Sequence, residues 1–190
     1  MNWKEYLELS EKTLSTQFNC EFKEQLYLHA IIGSLTEIEE LLDNYQNGKL
    51  IQEVDKQGSV AEESADAFWY LAILFRELKL NLEDNTYTEL ENHQDPYNIL
   101  FRYLKTNLKM LDMMKKKLYY NKEIDMVTFI NLTFELFSLL KQYCDSYNTN
   151  VEAILEKNIS KLKARYGEKF SSEKAINRDL DNEKKILENE

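Results

Sequence analysis

The chain has 190 residues, which is enough for one sizeable core but too few for two full domains. Its net charge of −10 disfavours a nucleic acid polymer as a partner, because phosphate backbones are bound by basic surfaces. It contains only 4 Gly and 1 Pro, and no run of alternating apolar and polar residues is bounded by turn residues. The composition therefore predicts an all-α fold with short connections.

Cysteine usage and hydropathy bear on the compartment. Cys20 and Cys144 are far apart in the sequence and fit no metal-binding spacing. Residues 1–10 show no signal-peptide pattern, and the longest apolar run, 67–75, is too short to span a membrane. We therefore predict a cytoplasmic protein with reduced cysteines and no membrane partner.

The first part of the chain contains one long predicted helix. Residues 1–20 indicate a short amphipathic helix followed by a linker. From about 21 to 45, apolar residues recur at steps of three and four, which predicts a single helix with one buried face. Gly48 follows this pattern in the position of a helix C-cap.

A second helix is predicted at 59–79, after a polar connection at 49–58. Ser59, with Glu62 three residues later, has the spacing of a capping box. The helix is apolar nearly all round, so we expect it to be buried on several sides, with Trp69 in the core.

The second half of the chain continues the helical pattern. Residues 81–96 are polar and end in the lone Pro96, which indicates another connection. Three further helices are predicted at about 97–119, 126–147 and 151–166. We expect a single domain over 1–170, with hairpins at about 26–80 and 97–148 and a closing helix at 151–166, followed by a polar tail at 171–190.

The two hairpins align with each other without a gap at an offset of 69 residues. "LLD" at 41–43 aligns with "MLD" at 110–112, and "FWYL" at 68–71 aligns with "FSLL" at 137–140. Identities are few, but a constant offset over this length is what duplication of a hairpin leaves. The sequence therefore predicts a bundle built from two related hairpins.

Four acids stand in unexpected places in the first hairpin. Glu37 and Glu40 lie three residues apart on one helix, and Glu63 and Asp66 on the next, so each pair shares a helical face. An isolated pair of this kind is usually a solvated face, but Asp66 directly precedes nine apolar residues. Facing carboxylates repel each other, and Mg²⁺ or Mn²⁺ offsets this cost with all-oxygen ligands.

The second hairpin lacks this constellation. At the same offset the four acids become Thr106, Lys109, Leu132 and Glu135. One copy is thus predicted to hold metal, while the other completes the bundle and supplies positive charge. A ferritin-like di-iron site fits poorly, because neither His29 nor His93 follows a Glu by three residues in an apolar helix.

These motifs resemble those of the MazG-like, all-α nucleoside triphosphate pyrophosphohydrolases, the superfamily that includes dimeric dUTPases and dCTP pyrophosphatases. The signature of that superfamily is ExxE, a spacer and then ExxD; here Glu37 and Glu40 are followed, after residues 41–62, by Glu63 and Asp66. The flanking "HAIIGSLTEIEELLD" and "EESADAFWYL" resemble its phage and bacterial branch. Ala65 departs from the usual Gly of that motif.

The resemblance implies Mg²⁺-dependent hydrolysis between the α and β phosphates of a nucleoside or deoxynucleoside triphosphate. Glu37, Glu40, Glu63 and Asp66 would then be the catalytic and metal-binding residues, and one of the first pair would orient or deprotonate the attacking water. A hairpin repeat within one chain resembles the fused arrangement of dimeric dUTPases. It suggests one active site per chain and by itself leaves the oligomeric state open. We expect a homo-oligomer, most simply a dimer.

The last predicted helix carries three further candidates. Asn158, Lys161 and Arg165 share one face beside an apolar stripe that includes Leu155 and Ile159. The segment "NISKLKARY" resembles the C-terminal motif of the family, which favours contact with the triphosphate. The alternative is an ordinary amphipathic helix with its lysines facing solvent.

Three positions in the hairpins complete the candidate set. Tyr70 lies one turn after Asp66, where it would stack on a base or bond a sugar, or else belong to the core. Lys109 is a weaker candidate for phosphate contact, since lysine runs usually face solvent. His29 is expected to be a packed histidine.

A different function remains open: a degenerate relative that sequesters a nucleotide or binds a protein partner.

Overall fold

The computed structural model describes residues 20–47, 53–82 and 95–166, together with residues 173 and 177. Over these ranges the chain forms α-helices and no strand, which confirms the predicted all-α bundle. The short helix predicted at 1–20 lies outside the described residues apart from Cys20, as does almost all of the predicted tail. The helices are α1 (Phe22–Asn47), α2 (Glu53–Leu78), α3 (Pro96–Tyr120), α4 (Met126–Ser146) and α5 (Val151–Tyr166).

Local sequence sets the ends of α3 and α4. The Asp95 side chain accepts a hydrogen bond from the backbone N–H of Tyr97, so α3 begins with Pro96 in its first turn, where the missing N–H costs nothing. Pro96 is therefore the first helical residue and not the end of the connection. Asn121 ends α3 in the left-handed conformation, and Asp125 caps α4 by accepting from the backbone N–H of Thr128.

The start of α2 differs from the prediction. The helix begins at Glu53, so the capping box assigned to Ser59 and Glu62 is wrong, and residues 53–58 are not part of a polar connection. Between Glu53 and Ser59 only Gly58 disfavours a helix strongly, at a cost of about 1 kcal/mol, whereas Glu, Lys and Gln are good helix formers. Ser59 therefore lies inside the helix, where its capping preference has no effect.

The helices form a closed four-helix arrangement with a fifth helix outside it. Helix α1 packs along α2 and α3 packs along α4, and the two hairpins join through α1 against α3 and α2 against α4. Helix α5 packs on α2. Helix α2 thus contacts three other helices, as its nearly uniform apolar surface predicts.

Aromatic and aliphatic side chains fill the space between the helices. Phe129 of α4 is fully buried, and its ring centroid lies 5.2 Å from that of Tyr27 of α1. The centroids of Phe75 and Phe134 lie 5.5 Å apart between α2 and α4. Burial of each such side chain contributes about 1.5–3 kcal/mol to the free energy of unfolding, so this core holds the two hairpins together.

Two pairs of residues separated by 69 positions contact each other across the hairpin interface. The hydroxyl oxygens of Ser34 and Tyr103 lie 2.9 Å apart, and the ring centroids of Phe68 and Phe137 lie 5.4 Å apart. A residue contacts its own equivalent only near a two-fold axis relating the two copies. These contacts support the predicted repeat. Asn107 adds a buried hydrogen bond to Ser34, with Nδ2 donating to Oγ at 2.7 Å.

Cysteine placement and hydropathy add two observations. Cys20 and Cys144 are both free thiols, and burial in the core raises the pKa of Cys144 to about 11. Among the described helices, none combines the length and the apolarity that crossing a membrane requires.

Candidate functional site

The antiparallel packing of α1 on α2 brings three of the four predicted acids together. Glu37 of α1 and Glu63 and Asp66 of α2 each offer a carboxylate oxygen, and these oxygens all lie within 4.8 Å of one another. All three side chains are partly buried. The spacing of three along each helix thus places both acidic faces on the shared side of the hairpin, as predicted.

The surroundings of Glu37 and Glu63 disfavour the ionised forms of these two acids. The pKa of Glu63 is raised to about 8, first by burial and then by the charges of Glu40 and Glu62. The pKa of Glu37 is raised to about 7, again first by burial and then by Asp66 and Glu40. A divalent cation relieves both effects, since it replaces lost hydration and offsets the repulsion between the carboxylates.

Glu40 stands apart from this triplet. It is exposed and lines the same cavity, but it is not part of the group of oxygens that lie within 4.8 Å of one another. Its charge acts on both Glu37 and Glu63, so its carboxylate is close to theirs. Its position suits a role beside a metal ion as well as a role as a ligand.

Helix α5 places two of its predicted substrate-binding residues against Asp66. The Lys161 ammonium donates to Oδ2 of Asp66 at 2.7 Å and to Oδ1 at 3.0 Å, and it lies 3.4 Å from Oε1 of Glu62. The Asn158 side-chain amide also donates to Oδ1 of Asp66. In this structure, therefore, Asn158 and Lys161 bind the acidic cluster itself.

The orientation of α5 follows from these bonds. Ile154, Asn158 and Lys161 are buried, and only 1% of the Lys161 surface is exposed. Leu155 and Ile159, on the apolar stripe, are 38% and 47% exposed. The alternative prediction, an ordinary amphipathic helix with its lysines facing solvent, is therefore wrong for Lys161. The polar face turns inward because the acids of α2 lie beneath it.

These helices enclose a cavity of about 410 Å³. This volume lies within the range of about 300–1,000 Å³ that is common for small-molecule sites. The lining has an acidic part and an aromatic part, and it includes Arg165 and Leu162 of α5. The acidic part consists of Glu37, Glu40, Glu62, Glu63 and Asp66.

The aromatic part combines residues of three helices. The ring centroid of His29 lies 6.2 Å from that of Trp69 and 5.6 Å from that of Tyr70, both in edge-to-face geometry. Tyr166 of α5 belongs to the same part of the lining. The prediction that Trp69 belongs to the core is wrong, since it is 38% exposed and lines the cavity. His29 packs against these rings, as expected, but it is exposed and lines the cavity.

Gly33 allows the Tyr70 ring to pack against α1. A Cβ atom at position 33 would overlap three atoms of that ring. Tyr70 is partly buried, and burial raises the pKa of its hydroxyl further above its ordinary value. Tyr70 thus lines the cavity as a neutral phenol, with a polar end available to a ligand and a face available for stacking.

The remaining predicted residues differ in position. Arg165 lines the cavity, with its guanidinium carbon 5.6 Å from the ring centroid of Tyr166. Lys109 is exposed on α3 and is not among the residues that line this cavity. Its predicted contact with phosphate stays a prediction without a structural counterpart.

Sequence reasoning missed several residues of the site. Glu62 was assigned to a helix cap, although its spacing of four from Asp66 places both on one face of α2. That spacing was a usable signal. His29, Trp69 and Tyr166 gave no comparable signal, because an aromatic residue at helical spacing looks the same whether it faces a core or a cavity.

Comparison with known proteins gives no match: no protein-family model, no curated protein and no solved structure matches this chain. Membership of the MazG-like superfamily therefore stays a prediction from the two acidic motifs and the C-terminal segment. The chemistry of the site rests on its own geometry.

Proposed function

We propose that this chain is a Mg²⁺-dependent nucleoside triphosphate pyrophosphohydrolase, which cleaves between the α and β phosphates to give a monophosphate and pyrophosphate. The observation that carries the proposal is the convergence of Glu37, Glu63 and Asp66 in a cavity whose lining also has an aromatic part. Acids that can hold a cation and aromatic rings that can stack on a base thus line one cavity.

The acidic triplet fits a hard divalent cation. Two ligand oxygens of an octahedral Mg²⁺ lie at most about 4.2 Å apart, given bonds of about 2.1 Å. Oxygens already within 4.8 Å of one another need only small side-chain rotations to share such an ion. Glu37, Glu63 and Asp66 would hold the ion, which when bound lowers the pKa of a water molecule and offsets phosphate charge. Mn²⁺ has the same ligand preferences.

Glu40 is the carboxylate best placed to act on the attacking water. It lines the cavity beside the triplet and is more exposed than Glu37 and Glu63. An exposed carboxylate on the cavity wall is within reach of water and can accept a hydrogen bond or a proton from it. In the proposed reaction Glu40 accepts the proton of the water that attacks phosphorus, and the pyrophosphate group leaves with the bonding electron pair.

The rest of the cavity would position the nucleotide. The Arg165 guanidinium in the cavity lining carries a fixed charge and planar donors that suit phosphate oxygens. Trp69 and Tyr70 offer ring faces and a hydroxyl to the cavity, which suits stacking on a base and a bond to a sugar.

The test is product analysis with a panel of nucleoside and deoxynucleoside triphosphates and Mg²⁺. We expect at least one nucleotide to yield its monophosphate and pyrophosphate, separated by anion-exchange chromatography, with no activity after chelation of the metal. Glu40→Ala is expected to lose at least about 100-fold in kcat, in line with removal of a general base.

Three results contradict the proposal. Turnover of no nucleotide in the panel excludes the activity. Release of orthophosphate from the terminal position assigns a different bond. Full activity in Glu40→Ala removes Glu40 from the reaction. Tight nucleotide binding in calorimetry without any product would instead favour the alternative function of a nucleotide-sequestering module.

A further inference from the structure

The acids of α1 and α2 outline two cation positions that share the Asp66 carboxylate. The first is surrounded by Glu37, Glu63 and Asp66, whose oxygens lie within 4.8 Å of one another. The second lies between Glu62 and Asp66, which are one helical turn apart on the same face. The Lys161 ammonium fills this second position, 2.7 Å from Asp66 and 3.4 Å from Glu62.

We propose that Lys161 is the resident cation of a site that binds one divalent metal ion and has no room for a second. This inference rests on the proposed function, because it concerns the metal of that same reaction. Lys161 is then a positioning residue that holds the Asp66 carboxylate in place. Its ammonium supplies the positive charge that a second metal ion supplies in two-metal hydrolases.

The bonding of Asp66 supports a single remaining metal contact. A carboxylate has about four lone-pair directions. Lys161 donates to both oxygens, and Asn158 donates to Oδ1. Three of the four directions are thus taken by side chains of α5, which leaves Asp66 about one bond for a metal. A carboxylate that bridges two metal ions needs two.

The burial of Lys161 makes this arrangement persistent. Only 1% of its side-chain surface is exposed. If the ammonium moved away from Asp66, solvent could not readily replace the hydrogen bonds that it would lose. A second dication in its place would have to displace it from a buried ion pair. Two metal ions in hydrolases lie about 3.5–4 Å apart, so a second ion would need the space beside the first that the ammonium already fills.

The position also explains why α5 turns its polar face inward. Without Lys161, Glu62 and Asp66 would place two like charges one turn apart under a helix. Arg165, four residues further along the same face, lines the cavity. The two basic residues thus have separate roles: Lys161 binds the protein's own acids and Arg165 faces the ligand space.

The experiment is a titration of the full chain with Mn²⁺ alone, with free Mn²⁺ measured by electron paramagnetic resonance. The wild type is expected to bind one ion. Lys161→Met removes the ammonium at similar length and is expected to bind two. Circular dichroism and thermal unfolding establish that the variant is folded.

A second variant, Glu62→Gln, tests the inference if Lys161→Met does not fold. Glu62 is partly exposed, so this substitution should not unfold the protein, and its carboxylate faces the Lys161 ammonium. The Mn²⁺ dissociation constant of this variant should change less than about threefold, since Glu62 serves Lys161 and not the metal. Two ions in the wild type, one ion in a folded Lys161→Met, or loss of Mn²⁺ binding in Glu62→Gln would each overturn the inference.

Glu63→Gln separates this inference from the proposed function. It should weaken Mn²⁺ binding at least about tenfold, because Glu63 belongs to the acidic triplet. If Mn²⁺ binding is unchanged in Glu63→Gln, the metal centre of the proposed function fails and the inference about Lys161 fails with it. If the wild type binds two ions that Glu63→Gln weakens, only the inference about Lys161 fails.

Discussion

The two hairpins share one architecture but differ in the residues at four equivalent positions and in how exposed those residues are. In the first, three acids converge beside an open cavity. In the second, the residues 69 positions further on are largely packed away: Thr106 is 2% exposed and Leu132 is 8% exposed. Glu135, which corresponds to Asp66, lies 3.6 Å from the guanidinium of Arg102. Among the four equivalent positions only Glu135 is still an acid, and Arg102 of the same hairpin offsets its charge.

The pair formed by Gly33 and Arg102 extends this contrast. Both occupy the same position in the aligned hairpins. Gly33 has no side chain, so the Tyr70 ring packs against α1 and lines a cavity. Arg102 instead extends a long basic side chain towards Glu135. A single position therefore distinguishes a hairpin that leaves space for a ligand from one that supplies its own cation.

The comparison indicates what the acids of the first hairpin are for. Helices α3 and α4 pack as a hairpin without them, so the architecture does not require a carboxylate at the positions of Glu37, Glu40 or Glu63. In the first hairpin burial and the charges of neighbouring acids raise the pKa values of Glu37 and Glu63, which is a cost in the absence of a cation. Function explains their presence better than stability does.

The largest expected effect separates Asp66 from its equivalent. Asp66→Asn should lower kcat at least about 100-fold, because it removes a charge from the metal site and the partner of Lys161. Glu135→Gln is the matched control and should leave kcat within about twofold, since it alters only a partly exposed ion pair. Steady-state pyrophosphate release measures both. Equal losses in the two variants would refute the assignment of the site to the first hairpin.

The next effect concerns the position that distinguishes the hairpins. Gly33→Ala places a methyl group inside the Tyr70 ring, so the ring must move. Overpacking of this kind costs about 1–3 kcal/mol, and we expect lower thermal stability together with a KM raised about tenfold. Arg102→Ala, at the equivalent position, should leave KM unchanged. An unaltered KM in Gly33→Ala would show that Tyr70 does not position the substrate.

A smaller effect is expected from pH in the absence of metal. Glu37 and Glu63 have folded-state pKa values of about 7 and about 8, above the ordinary value of 4.5. The folded state thus binds more protons than the unfolded state between these limits, so stability falls as pH rises from about 4.5 to about 8. Thermal unfolding in a chelator should show a melting temperature that declines over this window.

The same measurement has two internal controls. Added Mg²⁺ should restore the melting temperature at the upper end of the window, because a bound cation favours the ionised carboxylates. Glu63→Gln should make the decline shallower, since one of the two groups no longer titrates. A melting temperature that rises from about pH 5 to about 8 without metal contradicts the burial of these acids.

The smallest effect is expected at Lys109, where the second hairpin was predicted to contribute charge to the substrate. Its side chain is exposed and lies outside the cavity lining. Lys109→Ala should therefore change KM by less than about twofold, as for an exposed charge screened by solvent. A larger increase would show that the second hairpin reaches the substrate and would restore the original prediction.

The sequence was a good guide wherever a regular period was present. The bounds of α5 match the prediction at both ends, and those of α1, α3 and α4 lie within about two residues of it. The start of α2 was wrong because a capping box is a local pattern, which a continuing helix can override. The exposure of individual side chains was harder to predict. Trp69 was assigned to the core from its helical spacing, but that spacing does not distinguish a core from a cavity.

What the sequence determined by itself was the set of helices and the pairing of acids on their faces. Both follow from the 3.6-residue period of a helix, which needs no knowledge of neighbours. Only the tertiary structure decided which groups those faces meet. Lys161 was expected to contact a ligand, but the packing of α5 on α2 places it on Asp66 instead. A buried ammonium needs an acidic partner within hydrogen-bonding distance. The distance between Lys161 and Asp66 is fixed only when α5 packs on α2.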